Sequence, residues 1–354
     1  MKLLWANTAT AIALVACGYL YFSQAPQNSQ MLFQEEGDFL EFIARHSKQY
    51  SSKEDFERRS LIFRENLEFI TQKNEENSGR TYTLGVNKFA DWTKEERRAL
   101  SKGVIETRVL RQSIQQEKTF DYGVLPQSVD WRQKGAVNPV QDQGTCNTCW
   151  AFATTAAMEG SYFAAHGVLK KLSEQMMIDC CTGDGCGGRD PGCRHGGCIH
   201  CALEWMQTHP QVLESDYPYL EANATSTTCR RDLYPPQASA KSVSILDEND
   251  IQQMLIGLTI VPVAVGVDSE TDEFMFYKSG IFNFKGCGTD IDHAMLAVGY
   301  RLPQPSSNDS GYWIVRNSFG LSWGEQGYIR FAMTPDGDPG ICGVQSDSQY
   351  AIAN

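Results

Sequence analysis

The sequence predicts an α+β protein in which a helical part precedes a β-rich part, and three observations support this. Charged, amphipathic helix patterns fill residues 33–76, an apolar helix pattern begins at Cys149 and ends near Gly167, and helical patterns dominate as far as residue 206. After residue 243 the pattern changes to short β-rich runs bounded by glycines, at residues 260–267, 293–300, 312–316 and 328–332. This order predicts a separate helical front segment, then a helical lobe and a barrel-like β lobe with a ligand-binding cleft between them.

The composition is typical of an acidic protein outside the cytosol. The chain has 354 residues, 12 cysteines and a formal net charge of -12. That many cysteines is unusual for a cytosolic enzyme, and the negative charge argues against nucleic acid as the main partner. Residues 1–123 carry 17 basic and 17 acidic side chains, whereas residues 124–354 carry 14 and 26. The contrast predicts two units with separate functions.

Residues 1–25 are typical of a signal peptide. Lys2 precedes an apolar stretch, which ends in the small-residue pattern Ser23-Gln24-Ala25. The apolar span 3–22 is also just long enough to remain as a signal anchor, and cleavage near Cys17 is a further alternative. In each case the rest of the chain is expected to enter an oxidising compartment of the secretory pathway.

The front segment carries two spaced patterns on its predicted helices, Phe33 to Ser47 and Glu54 to Glu76. The first pattern is Arg59, Phe63, Asn66, Ile70 and Asn74, and the second is Gly85-Val86-Asn87-Lys88-Phe89-Ala90-Asp91. Residues 101–124 follow with mixed charge and little periodicity. Such a segment is typical of an exposed linker, and we expect maturation to cleave it close to Val124-Leu125.

Four residues in the second part form a candidate catalytic set. Cys149 lies at the start of a predicted helix, where the helix dipole favours the thiolate. Gln143 offers an amide NH2 that can stabilise an oxyanion beside the sulfur. His293, before a strand-like run, supplies a base, and Asn317 supplies a group that orients it.

Further motifs surround these residues and match a known family. They are Leu125-Pro126, Val129-Asp130-Trp131-Arg132, Leu172-Ser173-Glu174-Gln175, Asp292-His293-Ala294, Asn317-Ser318 and Ser322-Trp323-Gly324-Glu325. Over residues 32–354 the chain resembles the papain-like cysteine proteases of the papain and cathepsin L type, and the first front-segment pattern resembles their ERFNIN propeptide signature. The resemblance implies a papain-like two-lobe fold, preceded by a helical propeptide.

The resemblance also implies the function. It implies a secreted or lysosomal cysteine endopeptidase that is made as a zymogen. The expected domains are a signal peptide at 1–25, an inhibitory propeptide at 26–100, an activation linker at 101–124 and a mature peptidase at 125–354. The expected partners are peptide and protein substrates and the protein's own propeptide. A monomer that needs no metal or other cofactor and binds no nucleic acid is expected.

The sequence departs from the family pattern at a few positions. Asn147 stands where the family has Gly, and Phe319 replaces the usual Trp after Asn-Ser, so we expect a weaker solvent shield over the catalytic hydrogen bond. Asp142 adds a carboxylate beside Gln143, and we expect it to face water. Asn317 lies late in the chain, which a polar insertion at residues 303–310 explains.

The remaining cysteines imply disulfides. By resemblance, Cys180 pairs with Cys229 and Cys287 pairs with Cys342, while Cys146 pairs with Cys186 or Cys193, of which we favour Cys193. The ambiguity arises because two Cys-Gly-Gly-like stretches lie between residues 185 and 197. Whichever of Cys186 and Cys193 does not pair with Cys146 remains, together with Cys181, Cys198 and Cys201. These four cysteines are enough for two further bridges. Asn223 and Asn308 begin glycosylation sequons.

The resemblance places a set of residues around the bound substrate. Gly196 and Gly197 are expected to let a substrate backbone approach and pair like a strand. The others are Ile199, Gly266, Ile291, Asp292, Ala294, Trp323 and Asp347. Asp347 lies where relatives that accept Arg at the second pocket carry an acid, although a surface carboxylate is an equal alternative.

Two other function classes remain open from the sequence. One is a weak or inactive homologue that acts as a binding module, although all four catalytic positions are filled. The other is a metal-binding or redox protein built on Cys146-x-x-Cys149 and Cys198-x-x-Cys201. These two pairs lie much further apart than the roughly 15–20 residues typical of a zinc ribbon.

Overall fold

The structure is a computed structural model that describes residues 27–76, 79–104, 125–183, 186, 196–220, 228–304 and 310–354. The predicted signal segment, the expected cleavage bond at 124–125, Cys193 and the sequon asparagines lie outside these residues. Among the described residues, no helix combines the length and apolar character needed to cross a membrane.

Eight helices and nine strands are defined in this part of the chain. The helices are α1 Gln27–Arg45, α2 Lys53–Glu75, α3 Lys94–Leu100, α4 Cys149–His166, α5 Glu174–Cys180, α6 Ile199–Trp205, α7 Ile251–Ile260 and α8 Asp272–Met275. The strands are β1 Tyr82–Leu84, β2 Ser128–Asp130, β3 Ala240–Ile245, β4 Val263–Val267, β5 Tyr277–Phe282, β6 His293–Arg301, β7 Tyr312–Arg316, β8 Tyr328–Ala332 and β9 Ser348–Ala353.

The chain divides into two compact units. The first takes in the described residues up to Phe69 together with Ala90–Trp92. In it Asn66 donates its side-chain N–H to the carbonyl oxygens of Ala90 (2.8 Å) and Trp92 (3.0 Å), and Arg59 donates to the carbonyl of Asp91 (2.8 Å). Two of the spaced polar residues of the front segment therefore hold the 90–92 loop on helix α2.

The second unit comprises residues 70–89 and 93–354. It contains a nine-stranded sheet in the order β1-β5-β8-β7-β6-β4-β9-β3, with β2 paired to β6. Strand β1 belongs to the front segment, yet it pairs antiparallel with β5, with Tyr82 opposite Gly280. The front segment therefore contributes one edge of the sheet that follows it.

Helix α4 lies against this sheet and is buried along most of its length. Residues 149–161 are all buried, because small and apolar side chains face neighbours on every side. The helix packs against β6 and β9 and against α5 and α6. It ends as the sequence predicts, since Gly167 adopts a left-handed conformation (φ 69°) that a residue with a Cβ rarely adopts.

A buried ion cluster ties α4 to α5. Lys171 donates to Glu159 of α4 (3.1 Å) and to both carboxylate oxygens of Glu174, the first residue of α5 (2.6 and 2.7 Å). Burial raises the pKa of Glu174 to about 6. Removing one partner of such a cluster costs about 3–5 kcal/mol, because a charge is left buried without compensation. The cluster therefore fixes the helix that carries Cys149.

The structure corrects one element of the sequence analysis and adds others. The run from Ile260 to Val267 was expected to be β-rich throughout, but Ile260 ends helix α7 and the strand begins at Val263. The apolar run is continuous across this boundary, so periodicity alone did not divide it. The elements that were not predicted are helices α3, α7 and α8 and strands β1, β2, β3, β5 and β9. The strands expected near residues 293–300, 312–316 and 328–332 are present as β6, β7 and β8.

Candidate active site

Cys149 is the unbridged cysteine among the described residues and is fully buried at the first turn of α4. Burial raises the pKa of its thiol to about 12, although the backbone N–H of Ala294 and that of Trp150 both favour the thiolate. The sequence analysis expected a lowered pKa from the helix dipole alone. That expectation is wrong for this state of the protein, because the loss of water around the sulfur outweighs the dipole.

The front segment covers Cys149. A Cβ atom at Gly103 would collide with Sγ of Cys149, so the backbone of residue 103 lies directly over the sulfur. The N–H groups of Gly103 and Val104 donate to the carbonyl of Asp292 (3.0 and 3.1 Å), and the carbonyl of Gly103 accepts from the N–H of Gly197 (3.0 Å). The covering chain is therefore held by backbone hydrogen bonds on both sides of the sulfur.

Gly196 and Gly197 permit this approach. A Cβ at Gly196 would lie 2.8 Å from the carbonyl carbon of Gly103, and one at Gly197 would collide with the ring of Trp150. Residues 104 and 197 also form a parallel bridge. The close backbone contact that the sequence analysis expected for a substrate is thus made here by the front segment. This differs from the exposed linker expected from residue 101 onward, since Ser101 and Gly103 are buried.

His293 begins strand β6. It directly precedes Ala294, whose backbone N–H bonds to the sulfur of Cys149. Its Nε2 lies 2.8 Å from Oδ1 of Asn317. Because an amide oxygen only accepts, Nε2 carries the proton, and Nδ1 has no hydrogen-bond partner among the described residues. Burial lowers the pKa of His293 to about 4. With the thiol and the imidazole both buried, both groups are neutral near pH 7 in this covered state.

An aromatic group covers the His293–Asn317 hydrogen bond. The ring of Phe319 stacks on the imidazole with a centroid distance of 4.7 Å, and Trp323 packs edge-on against Phe319 at 5.8 Å. Phe89 of the front segment packs edge-on on Phe319 at 5.1 Å. All three aromatic side chains are buried. Phe319 therefore excludes water from the hydrogen bond between His293 and Asn317. Phe89, which was not predicted to belong to the site, covers part of Phe319.

Gln143 is fixed beside the nucleophile segment. Its side-chain Nε2 donates to the carbonyl of Cys146 (2.6 Å), and its Oε1 accepts from the hydroxyl of Ser318 (2.6 Å). The neighbouring Asp142 was expected to face water. Its side chain is 45% exposed, which confirms this expectation, and its carboxylate also forms an ion pair with Lys88 of the front segment.

Three of the residues expected to line the second substrate pocket, Gly266, Ile291 and Asp347, lie together. A Cβ at Gly266 would collide with Ile291 and would lie 2.9 Å from a carboxylate oxygen of Asp347. Gly266 is also paired with Ala294 across strands β4 and β6. Ile199 is buried at the start of α6. Trp323 is fully buried beneath Phe319, which gives it a packing role in this state.

Asp292 is held by a residue that the sequence analysis missed. Its Oδ1 accepts from the backbone N–H and the hydroxyl of Ser269 (both 2.9 Å). Burial nevertheless raises the pKa of Asp292 to about 8, and the nearby charges of Asp268 and Glu270 act in the same direction. No local sequence signal identifies this contact, because the two partners lie on different strand ends.

The disulfides explain most of the remaining cysteines. Bonds join Cys180 to Cys229 and Cys287 to Cys342, the two pairs that the resemblance implied. Cys181 pairs with Cys186, which excludes Cys186 as the partner of Cys146, and Cys198 pairs with Cys201. Cys146 is also in a disulfide, and its partner is not among the described cysteines. A zinc ribbon built on the two Cys-x-x-Cys pairs is therefore not formed.

Comparison with known proteins identifies the family. A sequence profile described as "Papain family cysteine protease" matches residues 125–352. The chain belongs to the papain family of cysteine proteases. A second profile, described as "Cathepsin propeptide inhibitor domain (I29)", matches residues 39–96 of this papain-family chain. The protein is thus a papain-like cysteine protease zymogen with an inhibitory propeptide.

Similar proteins support this assignment over most of the chain. Fruit bromelain of Ananas comosus is 35% identical over 308 residues, which cover 86% of this chain and 83% of bromelain. Caricain of Carica papaya is 37% identical over 318 residues, covering 89% and 86%. A recombinant stem bromelain precursor has a similar structure, with a TM-score of 0.78, 35% identity and coverage of 90% and 98%.

A second solved structure has the same papain-like fold with a propeptide. It is digestive procathepsin L 3 from the larval midgut of Tenebrio molitor, with a TM-score of 0.74, 32% identity and coverage of 90% and 98%. A papain-family protease with a propeptide and several disulfides is typical of the secretory pathway. Its substrates are peptides, and its own propeptide is an intramolecular partner.

Proposed function

We propose that Cys149, His293, Asn317 and Gln143 carry out peptide-bond hydrolysis in this protease. Once the cleft is uncovered, the Cys149 thiolate attacks the carbonyl carbon of the scissile bond, with the imidazolium of His293 as its counter-ion. The carbonyl oxygen becomes an oxyanion, which the amide of Gln143 and the backbone N–H of Cys149 stabilise. His293 then donates its proton to the leaving amine, and an acyl-enzyme remains on the sulfur.

In the second half of the reaction His293 removes a proton from water, which attacks the acyl carbon and releases the thiolate. Asn317 orients the ring, because its Oδ1 accepts the Nε2 proton (2.8 Å) and leaves Nδ1 to exchange the reacting proton. The observation that carries the proposal is the position of the unbridged Cys149 beside Ala294 and beneath the backbone of Gly103.

We further propose how the protein is made and where it acts. Residues 1–25 act as a signal peptide or a retained anchor, residues 26–100 as the inhibitory propeptide, 101–124 as the linker cleaved on activation and 125–354 as the mature peptidase. The mature enzyme acts in a lysosome or acidic vacuole or outside the cell. It works as a monomer on peptide and protein substrates, without a cofactor, and binds no nucleic acid.

Inhibition is completed by Gly103 and Val104, the linker residues that follow the propeptide and occupy the substrate cleft, and Gly103→Val tests this. A side chain at residue 103 cannot fit over Sγ of Cys149, so the segment must move and lose its three backbone hydrogen bonds. At about 1 kcal/mol each, this loss weakens the cover by roughly 100-fold. We expect Cys149 of the unprocessed variant to be alkylated at pH 7 at least ~10-fold faster than in the parent.

Gly37→Val is the matched control, because a Cβ at Gly37 contacts nothing within 4 Å. Its alkylation rate should equal that of the parent. Equal rates for Gly103→Val and the parent, in proteins of equal thermal stability, would contradict the proposed cover.

Acid favours the uncovered state through His293. Burial lowers its pKa to about 4 in the covered cleft, whereas an exposed imidazole has a pKa of roughly 6.5. Between these values the uncovered site binds more protons, so the covered state loses stability as the pH falls through this window. Asp292 acts in the opposite sense, because burial raises its pKa to about 8 and the covered state retains the proton.

Ion pairs also join the propeptide to the peptidase. Asp272 accepts from Arg97 (2.8 Å) and lies 3.8 Å from Lys94, Glu270 lies 3.7 Å from Arg98, and Asp142 pairs with Lys88. Because Arg97 is only 4% exposed, its pair is the one least screened by solvent.

We therefore expect maturation by the same trace of mature protease to be at least ~10-fold faster at about pH 4.5 than at pH 7. Arg97→Gln should speed maturation at pH 7, whereas Arg45→Gln, which removes an exposed pair with Glu41 outside the second unit, should not. Gel analysis of the processing time course measures both. Equal rates for the parent at the two pH values would show that acid is not the trigger.

The second substrate pocket combines apolar walls with an acid. Ile291 and Ala294 supply apolar surface, and the carboxylate of Asp347 lies at the open side of Gly266. We propose that the pocket accepts aliphatic or aromatic residues and also Arg at the position before the scissile residue (P2). An Arg side chain has the length and charge to reach such a carboxylate.

Paired Phe-Arg and Arg-Arg peptide substrates test the pocket. Asp347→Asn should lower kcat/KM for the Arg-Arg substrate at least ~10-fold and leave that for the Phe-Arg substrate within about twofold. Absence of cleavage of the Arg-Arg substrate by the parent enzyme would rule out the acidic pocket, without affecting the assignment of Cys149.

A further inference from the structure

A second sulfur cluster lies next to the cleft and takes no part in the proposed reaction. Cys198 and Cys201 are joined in a disulfide that spans only three residues of sequence. The ring of His200 lies against both sulfurs, with Nδ1 3.4 Å from Sγ of Cys198 and Nε2 3.4 Å from Sγ of Cys201. A disulfide and an imidazole group are thus gathered on one short segment.

We propose that Cys198–Cys201 is a thiol-reducible disulfide whose state adjusts substrate binding by the protease. The proposal rests on the proposed function of the cleft and adds a redox control to it. In proteins that exchange disulfides, the Cys-x-x-Cys spacing is used to tune the stability of the thiolate. The other bridges with both partners described span larger separations, of 5 residues for Cys181–Cys186, 49 for Cys180–Cys229 and 55 for Cys287–Cys342.

The burial of the two sulfurs assigns their roles. Cys198 is 1% exposed, whereas Cys201 is partly exposed. An external thiolate can therefore reach Sγ of Cys201. The departing group is then Cys198, whose Sγ accepts the backbone N–H of Cys201 (3.1 Å). Exchange is faster when the departing sulfur is stabilised as a thiolate. The N–H of Cys201 and the ring of His200 both contact that sulfur.

The exchange uses two molecules of a low-molecular-weight thiol, RSH. The thiolate RS⁻ attacks Sγ of Cys201, the Sγ–Sγ bond breaks, and the electron pair leaves on Sγ of Cys198, which then takes up a proton. A second RSH displaces Cys201 from the mixed disulfide. Two RSH are oxidised to RSSR, and the protein gains two electrons and two protons.

The position of the pair connects it to the substrate. Cys198 directly follows Gly197, whose N–H donates to the chain that occupies the cleft (3.0 Å to the carbonyl of Gly103). The N–H of Cys198 donates to the carbonyl of Cys186 (3.0 Å). The cross-link thus fixes the segment that offers its backbone to a bound peptide. Its opening should loosen that segment and weaken peptide binding, while the groups around Cys149 stay in place.

The first test measures which bond opens. The full chain with Cys149→Ser is incubated with reduced glutathione, alkylated with iodoacetamide and mapped by mass spectrometry. We expect Cys198 and Cys201 to be alkylated together, while Cys180, Cys229, Cys287 and Cys342 stay oxidised. His200→Ala should slow this reduction at least ~5-fold, and His209→Ala, which changes a histidine packed on Trp205, should not. Reduction of Cys198–Cys201 no earlier than the other bonds would overturn the proposal.

The second test measures the coupling to activity. In the mature enzyme, Cys198→Ser/Cys201→Ser should raise KM for a peptide substrate about 3–10-fold with kcat within twofold, and glutathione should then change KM no further. An unchanged KM would contradict the coupling. An inactive parent enzyme would instead refute the assignment of Cys149, so the two failures are distinguishable.

Discussion

Cys149→Ala is expected to abolish peptide hydrolysis, with kcat reduced by about 10⁵-fold or more. The reason is that no other unbridged thiol exists among the described residues and the acyl-enzyme has no other sulfur on which to form. The measurement is kcat/KM of the mature protein on a fluorogenic dipeptide substrate. The variant is processed with a trace of the parent enzyme that is removed afterwards, so that it is compared with the parent in the mature form.

The controls separate chemistry from folding. Cys149 is buried, and replacing it with Ala or Ser removes only the sulfur, so thermal unfolding of both variants should stay close to that of the parent. Cys149→Ser should be nearly as inactive as Cys149→Ala, since a hydroxyl is a far weaker nucleophile than a thiolate. Activity above ~1% of the parent in either variant would contradict the assignment of the nucleophile.

His293→Ala is expected to lower kcat by about 10⁴-fold at pH 6. Without the imidazole, Cys149 has no counter-ion and no proton carrier, so only the small fraction of thiol that ionises in water reacts. The residual activity should therefore rise with pH up to the ordinary range of a thiol, roughly pH 8.5, where the parent shows a plateau or decline. The pH profile of kcat/KM measures this difference.

Asn317→Ala provides the comparison for His293. It retains the base and loses only the 2.8 Å hydrogen bond that orients it, so we expect a smaller loss of about 10–100-fold and a pH profile like that of the parent. A His293→Ala profile that parallels the parent, or a larger loss from Asn317→Ala than from His293→Ala, would contradict the proposed division of roles.

The sequence predicted those features that depend on local pattern. Helix α4 begins at Cys149 and ends before Gly167 as expected, because an apolar run with a terminal glycine specifies both its face and its end. Strand β6 begins at His293 for a similar reason. The family resemblance then pointed to Gln143 and Asn317, which lie too far apart in sequence for any local rule to connect them.

The features that the sequence did not predict depend on long-range contact. Nothing near Gly103 indicates that its backbone lies over Cys149, since the contact joins residues 103, 197 and 292. The same contact buries the sulfur and raises its pKa to about 12, which reverses the expectation drawn from the helix dipole alone. The role of Phe89 in covering Phe319 and the pairing of Cys181 with Cys186 also required coordinates.

These contacts explain how one chain can be both protease and inhibitor. The linker residues Gly103 and Val104, which follow the propeptide, bond to the backbone groups of Gly197 and Asp292 that border Cys149, and the thiol and the imidazole beneath them are buried. Desolvation keeps both groups neutral, so the covered site lacks the thiolate–imidazolium pair even though its residues are in place. In the proposed mechanism, uncovering the cleft supplies both access for the substrate and ionisation of Cys149.

Alkylation by an active-site epoxide, followed by peptide mapping before and after acid maturation, tests this account most directly. The account predicts that the zymogen at pH 7 is essentially unlabelled, that the matured protein takes up one equivalent, and that the label lies on Cys149. Labelling of the zymogen at the rate of the matured protein, or a label located on another residue such as Cys201, would contradict it.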